Sequence, residues 1–107
     1  MSPKTRHEVW SQVENGLGSA GRIKILRYLI EHPNRQHTKY GLREPTGLES
    51  REIERQIGLL VDLGWVKEFP HEPRTYKIIM EDEVVKQVAE FFQKLRFTQH
   101  ITPSRNS

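Results

Sequence analysis

The fold is decided by residues 46–66, TGLESREIERQIGLLVDLGWV. Thr46-Gly47-Leu48 predicts a tight turn, because glycine takes a positive φ without strain. From Glu49 or Ser50 to Leu63 the apolar residues recur at helical spacing, which predicts an amphipathic helix. Its buried face is formed by Ile53, Ile57, Leu60 and Val61. Gly64 follows as a residue suited to end that helix.

Three further helices are predicted upstream of this segment. The first covers residues 4–16 and the second begins after Ser19, a residue that caps helices well. His32-Pro33-Asn34 ends the second helix, because the residue before a proline avoids the helical region. A short third helix is predicted from Thr38 to Glu44, with Pro45 as its terminator. Its apolar members are Tyr40 and Leu42.

The periodicity changes from helical to alternating after Gly64. Residues 65–69 and 74–80 predict two strands of a hairpin, with Pro70 and Pro73 in the connecting loop. A last helix is predicted from Asp82 to Arg96. We therefore expect one α+β domain over residues 1–97, mainly α with a small β-hairpin, and a disordered polar tail over residues 98–107.

Length and composition restrict the class of protein. The chain has 107 residues, of which 35% are hydrophobic and 29% charged, as expected for one small globular domain. No apolar run approaches the roughly 20 residues that span a membrane, and the N-terminus lacks the apolar region of a signal peptide. Cysteine is absent, so disulfides and thiolate metal sites are excluded. We expect a cytoplasmic protein without membrane partners.

The charge is unevenly distributed along the sequence. The net charge is +3, yet the segment from Arg22 to Arg43 has six cationic residues against Glu31 alone, a local net charge of +5. The segment from Asp62 to Glu90 leans acidic. A basic half beside an acidic half suits a surface that binds a polyanion. Charge alone is explained equally well by an ordinary solvated surface.

The segment from Lys39 to Val66 resembles the winged helix-turn-helix superfamily, and is similar to MarR- or ArsR-like regulators of archaea and bacteria. The resemblance lies in the TGL turn and the LLVDLGWV ending, and it extends over residues 17–80. It implies a helix-turn-helix at residues 38–63, a wing at residues 64–80 and flanking N- and C-terminal helices. It also implies a sequence-specific, double-stranded DNA-binding transcriptional regulator. Glu49 departs from the pattern, because these families usually place a serine cap there.

The helix after the turn is the expected recognition helix. When its isoleucines face inward, helical geometry turns Arg51 and Arg55 outward and leaves Gln56 at the flank. Arginine can bond both O6 and N7 of guanine, and glutamine can bond both N6 and N7 of adenine, so these three residues are the candidates for reading bases. The alternative is that the two arginines pair with neighbouring glutamates on a solvated helix.

Other cationic residues are candidates for positioning contacts. Lys39, Tyr40 and Arg43 on the short helix could bind phosphate across the groove. The resemblance implies that the wing touches the minor groove or nearby phosphates, and there Arg74 and Lys77 are the candidates. Two alternatives stay open: the hairpin is merely charged, and Tyr40 is a core residue with a solvated hydroxyl.

The last helix carries an apolar stripe at 4-3-4 spacing, which predicts a homodimer interface. Its members are Val84, Val88, Phe91 and Leu95, with Phe92 beside them and Trp10 of the first helix nearby. Two copies would place their recognition helices about one DNA turn apart, roughly 34 Å, which predicts a palindromic site. The alternative is that the stripe covers the monomer's own core.

Motifs for catalysis and cofactor binding are missing. The sequence contains no phosphate loop, no dinucleotide glycine fingerprint and no His-Glu-x-x-His, so we expect neither an enzyme nor a cofactor. His32 and His37 could meet around a turn, but the sequence does not predict a metal site. Two rival functions remain: a winged-helix protein-interaction module, and a repressor that responds to a small-molecule effector of unknown identity.

Overall fold

A computed structural model of the protein describes the backbone of residues 13–101 and the side chains of residues 13–95. Within that range the elements confirm the predicted α+β class, and of the predicted N-terminal helix (residues 4–16) only residues 13–16 are described, as helix. Trp10, predicted at a dimer interface, lies outside the described residues. In chain order the elements are α1 (residues 13–16), α2 (Ala20–Glu31), a 3-10 turn (Tyr40–Leu42), α3 (Arg43–Thr46), α4 (Ser50–Leu63), β1 (Val66–Phe69), β2 (Thr75–Ile78) and α5 (Glu83–Ile101).

Helix α2 begins and ends where the sequence predicts. The hydroxyl of Ser19 accepts a hydrogen bond from the backbone N–H of Arg22 (3.3 Å), which satisfies one of the free amides of the first turn. His32 follows the last turn, and its N–H bonds the carbonyls of Tyr28 and Leu29. Pro33 then prevents the helix from continuing.

Helix α3 differs from the prediction at Pro45. The sequence suggested that this proline terminates the helix, but it lies inside α3, which continues to Thr46. The prediction was wrong because Pro45 falls in the first turn, where the backbone N–H has no partner within the helix and its loss costs nothing. The end is at Gly47, whose φ of 73° is left-handed and whose N–H bonds the carbonyl of Arg43 (2.8 Å).

Helix α4 confirms the amphipathic helix predicted after the tight turn. Glu49 precedes it in an extended conformation, and Gly64 ends it with a left-handed φ of 83°. Ile53, Ile57 and Leu60 are fully buried against the core, and Val61 is half-buried. This burial fixes the rotation of α4 and therefore determines which side chains face solvent.

Strands β1 and β2 form the predicted hairpin, though each is shorter than expected. They pair antiparallel, with Val66 opposite Ile78 and Phe69 opposite Thr75. The sequence did not reveal a third contribution: His37 forms an isolated antiparallel bridge to Tyr76, with both N–H···O bonds at 2.8 Å. The loop before α3 is thereby attached to the hairpin.

The core is centred on Trp65, which is completely buried. The backbone of Gly16 in α1 packs directly on the indole, so closely that a Cβ at this position would overlap two ring atoms. Around it lie the buried residues of six elements, namely Ile25, Leu26, Leu29, Leu42, Ile53, Ile57, Leu60, Val66, Tyr76, Ile78, Val84, Val85 and Val88. The hairpin, α2, α4 and α5 thus share one core.

Helix α5 is longer than predicted. Asp82 caps it, because its Oδ1 accepts hydrogen bonds from the N–H groups of Val84 (2.9 Å) and Val85 (3.0 Å). The helix continues past Arg96 to Ile101, so residues 98–101 are helical and not part of a disordered tail. The reason is that no glycine or proline interrupts the chain between Glu83 and Pro103. None of the described helices, α5 included, is apolar over a length that could cross a bilayer.

The apolar stripe of α5 has two parts with different surroundings. Val84 and Val88 are buried in the protein's own core, which contradicts their prediction as dimer contacts, and Phe92 packs partly against that core. Phe91 and Leu95 are 52% and 51% exposed. Periodicity shows that a helix face is apolar, but it does not show which surface covers that face, so the sequence could not separate the two parts.

Candidate nucleic-acid interface

The outward face of α4 presents two arginines to solvent. Arg51 and Arg55 lie on the side opposite the buried isoleucines, as predicted, and the Arg55 side chain is 69% exposed. Arg51 makes no ion pair or hydrogen bond with the residues that the structure describes. Gly58, one turn after Arg55, has open space where a side chain would be. This face therefore combines cationic donors with a region where another backbone could approach closely.

Arg55 has a carboxylate partner on its own helix. Its Nη2 donates to Oε1 of Glu52, one turn earlier, at hydrogen-bond distance. Glu52 has a pKa below its usual range, chiefly because the Gln56 amide donates to it and also because Arg55 lies beside it. The predicted alternative, in which the helix arginines pair with neighbouring glutamates, is therefore observed for Arg55 and not for Arg51.

Gln56 occupies an unexpected position. It was predicted to read bases from the flank of α4, yet it is only 4% exposed and bonded inside the protein. Its Oε1 accepts from Nε of Arg22 (2.6 Å), and its Nε2 donates to Oε2 of Glu52 (2.7 Å). Reaching a base would require Gln56 to leave both partners, so the structure removes it from the set of base-reading candidates. Its position three residues after Ile53 was the available signal, because that spacing lies on the buried side of a helix.

The short helix and the turn before it present the predicted positioning residues. Tyr40 is 77% exposed, which excludes the alternative that it is a core residue, and Arg43 lies over its ring at 5.5 Å from the centroid. Lys39 approaches Glu54 of α4 (3.8 Å) and lies 5.7 Å from the Tyr76 ring centroid. Tyr40 and Arg43 are therefore available to a ligand, while Lys39 is partly engaged.

The wing contributes a second cationic surface. Arg74, just before β2, is 58% exposed and lies 3.4 Å from a carboxylate oxygen of Glu68. Lys77 on β2 is directly opposite Lys67 on β1, so the two lysines point to the same face of the hairpin. Lys67 lies over the Phe69 ring, 5.1 Å from its centroid. The hairpin thus carries one arginine that is ion-paired with Glu68, and two lysines that lie side by side on one face.

Three of the predicted cationic contacts face carboxylates within the chain: Lys39 with Glu54, Arg55 with Glu52, and Arg74 with Glu68. All three pairs are partly or largely exposed to solvent. Exposed ion pairs contribute only about 0–1 kcal/mol each, so a phosphate or a base edge can compete for these cations.

Two open depressions flank the turn between α3 and α4. One, of about 570 Å³, is lined by Tyr40, Arg43 and the turn residues. The other, of about 560 Å³, is lined by the same turn together with Arg51 and Arg55. Both open to solvent along the surface that carries the predicted DNA contacts, a shape that suits an extended ligand better than an enclosed small molecule.

The two histidines that the sequence placed near each other do come together. The ring centroids of His32 and His37 are 6.4 Å apart, and both rings contact Tyr28. Burial lowers the pKa of His37 below 6.5; a hydrogen bond with the His32 backbone opposes this shift, and the nearby Arg35 and His32 side chains add to it. Within residues 13–95 no group of three or more potential metal ligands occurs here or elsewhere.

Comparison with known proteins gives matches in structure only. Neither a protein family nor a curated protein matches the sequence. The crystal structure of Mycobacterium tuberculosis Rv0081 superposes with a TM-score of 0.66 at 22% identity, covering 92% of this chain and 96% of that one. At such identity the match shows the fold.

Two other solved structures identify that fold. The homodimeric winged helix-turn-helix DNA-binding domain of Mb0332 from Mycobacterium bovis, a possible ArsR-family transcriptional regulator, has a TM-score of 0.66 at 17% identity, covering 98% of this chain and 97% of that one. An ArsR-like transcriptional regulator from Rhodococcus sp. RHA1 has a TM-score of 0.60 at 18% identity, covering 90% and 92%. The chain has a winged helix-turn-helix fold.

Proposed function

We propose that this chain binds double-stranded DNA as a sequence-specific transcriptional regulator. The observation that carries the proposal is the outward face of α4, where Arg51 and Arg55 are exposed while the isoleucines are buried. A helix fits the major groove, and exposed arginines there can donate to O6 and N7 of guanine. The matched structures from M. bovis and Rhodococcus, a possible ArsR-family and an ArsR-like regulator, support the same function.

The proposed contacts fall into two classes. Arg51 and Arg55 read bases, and they are the residues on which sequence preference depends. Arg43, Tyr40 and Lys39 at the short helix, with Arg74 and Lys77 at the wing, hold phosphates and position the domain. Gln56 belongs to neither class, because it is buried.

We further propose that the protein acts as a homodimer on a palindromic site. Phe91 and Leu95 lie one turn apart on α5 and are half-exposed. Exposing this apolar surface to water costs free energy, and a second copy that covered both side chains would remove that cost. The M. bovis domain is homodimeric, which supports the same assembly here. Two recognition helices about one DNA turn apart, roughly 34 Å, would read two half-sites.

Selection of bound sequences from a random DNA pool tests the proposal. We expect a palindrome to be enriched, and binding to it to weaken steeply as salt rises, because counterions are released on binding. Arg51→Ala and Arg55→Ala should each cost about 1–3 kcal/mol on the enriched site and relax base preference at one position. Lys86→Ala, an exposed lysine of α5, makes the same charge change and should leave base preference intact.

A second candidate function is a winged-helix module that binds another protein. The ion pairs of Lys39, Arg55 and Arg74 with glutamates favour it, because they reduce the positive potential of the proposed DNA surface. In that case the random pool would yield no enriched sequence, and any binding to duplex DNA would be equal for the wild type and for Arg51→Ala.

A further inference from the structure

A continuous set of side-chain hydrogen bonds connects α2 to the exposed face of α4. Arg22 of α2 donates to Gln56, Gln56 donates to Glu52, and Glu52 accepts from Arg55. We call these four residues the Arg22–Arg55 network. Its outer end is the guanidinium that the proposed function assigns to base reading, so α2 is connected to a proposed DNA contact through the buried Gln56 and the partly exposed Glu52.

The network has only one possible hydrogen-bond polarity. Arg22 has donors and no acceptor, so the Gln56 oxygen must face it, and the Gln56 amide nitrogen is then directed towards Glu52. An ionised carboxylate only accepts, and the lowered pKa of Glu52 keeps it ionised. Each carboxylate oxygen has its own partner, Oε2 with Gln56 and Oε1 with Arg55.

The Glu52 carboxylate is also confined by α2. A Cβ on Gly21, in the first turn of that helix, would lie 3.0 Å from Oε2. A Cβ there would press closely on the carboxylate, which lies beside a helix N-terminus that favours negative charge. Glu52 is held from two sides, and its orientation is transmitted to Arg55.

We propose that Glu52 is a specificity-determining positioning residue, which holds the Arg55 guanidinium in one orientation for a base edge and repels phosphate from it. This inference rests on the proposed DNA-binding function. An arginine that is already oriented loses less conformational freedom when it forms a bidentate bond. The bond to Glu52 engages Nη2, and the exposed side chain leaves other guanidinium donors to reach guanine.

A comparison of Glu52→Gln with Glu54→Gln tests positioning against charge alone. Each substitution removes one negative charge from α4, but Glu54 pairs with Lys39 and not with Arg55. Both variants should bind random duplex DNA more tightly by a similar factor. Only Glu52→Gln should lose preference at the base position that Arg55→Ala also loses, reducing the ratio of specific to random affinity on the order of tenfold.

Two further variants make the test independent of charge and of folding. Gly21→Ala keeps every charge, but its methyl group would lie 3.0 Å from Oε2, so the carboxylate must shift slightly and preference at the same base position should weaken. Adding Glu52→Gln to an Arg55→Ala background should change that preference no further, because Glu52 acts through Arg55. Thermal unfolding of each variant confirms that it is folded.

The outcomes separate the two proposals. If Glu52→Gln and Glu54→Gln have the same base preferences, or if Gly21→Ala leaves them unchanged, Glu52 acts through charge alone and the positioning role is overturned while DNA binding stands. If the wild type itself enriches no sequence, the DNA-binding proposal is overturned, and the role of Glu52 is overturned with it.

Discussion

At the scale of single residues, His37 is a polar group held inside the molecule. It is 6% exposed, and its Nε2 has no hydrogen-bond partner among the residues that the structure describes. Its ring lies 5.3 Å from the Tyr28 ring, and its backbone bridges Tyr76 of the wing. A charge on this imidazole would be buried without a counterion, which is costly in a protein interior.

We predict that His37 makes the stability of the protein depend on pH. Burial lowers its folded-state pKa below the unfolded value of 6.5, so the unfolded chain binds the proton more tightly. The stabilisation is therefore complete above pH 6.5 and is lost as the pH falls through that value towards the folded-state pKa. Urea denaturation between pH 7.5 and pH 5, a range on the order of one unit either side of a free histidine, measures this.

Two histidine variants isolate the effect. His37→Gln removes the titrating group and should flatten the decline in unfolding free energy across this range. His71→Gln, at an exposed position in the wing loop, should leave the decline as it is in the wild type. A decline that His37→Gln does not alter would assign the pH dependence to other groups.

At the scale of elements, the backbone hydrogen-bonding groups at the start of α4 have fewer partners than those at its end. Glu49 precedes the helix with extended dihedral angles, and no side-chain hydrogen bond caps the first turn. By contrast Ser19 caps α2 and Asp82 caps α5 through side-chain oxygens. Helix α4 therefore begins without a side-chain cap, and in the proposed DNA complex phosphate oxygens could bond the backbone N–H groups of its first turn.

We predict that Glu49→Ser stabilises the protein. Serine is among the best capping residues, and its hydroxyl can accept from the first-turn amides that glutamate leaves free, for a gain of about 0.5–1 kcal/mol in unfolding free energy. Glu49→Gln is the matched control, because it removes the same charge without supplying a good cap. Thermal or urea denaturation should place the serine variant above both wild type and control, and equal stabilities would contradict the capping argument.

At the scale of the whole molecule, α5 belongs to two surfaces at once. Its inner face, with Val84, Val85 and Val88, completes the core that α2, α4 and the hairpin build. Its outer face carries Phe91 and Leu95, which nothing in the described part of the chain covers fully. One helix can therefore stabilise the monomer and offer an apolar surface to a second copy.

We predict that Phe91→Glu with Leu95→Glu converts the proposed dimer to a monomer. Each of the two copies would lose two apolar side chains from the interface and gain two negative charges, which should weaken association on the order of a hundredfold or more. Sedimentation measures the mass, and circular dichroism should show an unchanged helix content because the inner face of α5 is intact. DNA affinity should fall as well, because one half-site contact is lost.

The control lies on the same helix. Gln93→Glu, at an exposed position between the two apolar residues, adds charge without removing apolar surface and should leave the mass of the proposed dimer unchanged. A wild type that remains monomeric at high concentration, or a double variant that remains dimeric, would show that Phe91 and Leu95 do not form the interface.

Much of the fold was predictable from local sequence alone. The cap at Ser19, the left-handed glycines at Gly47 and Gly64, and the antiparallel hairpin all match the sequence prediction. The exposure of Arg51 and Arg55 was predictable too, because the buried isoleucines of the same helix fix its rotation. These features depend on neighbours within one or two turns, and those neighbours are adjacent in sequence.

Contacts between distant segments were decided only by the tertiary structure. Gln56 became an interior residue because Arg22, 34 positions earlier, supplies the donor that its buried oxygen needs. His37 joined the wing through Tyr76, and Val84 and Val88 were covered by the protein's own core. A helical or alternating pattern shows which face is apolar, but the partner that covers a face, or satisfies a buried polar group, comes from another element, and only folding brings that element into place.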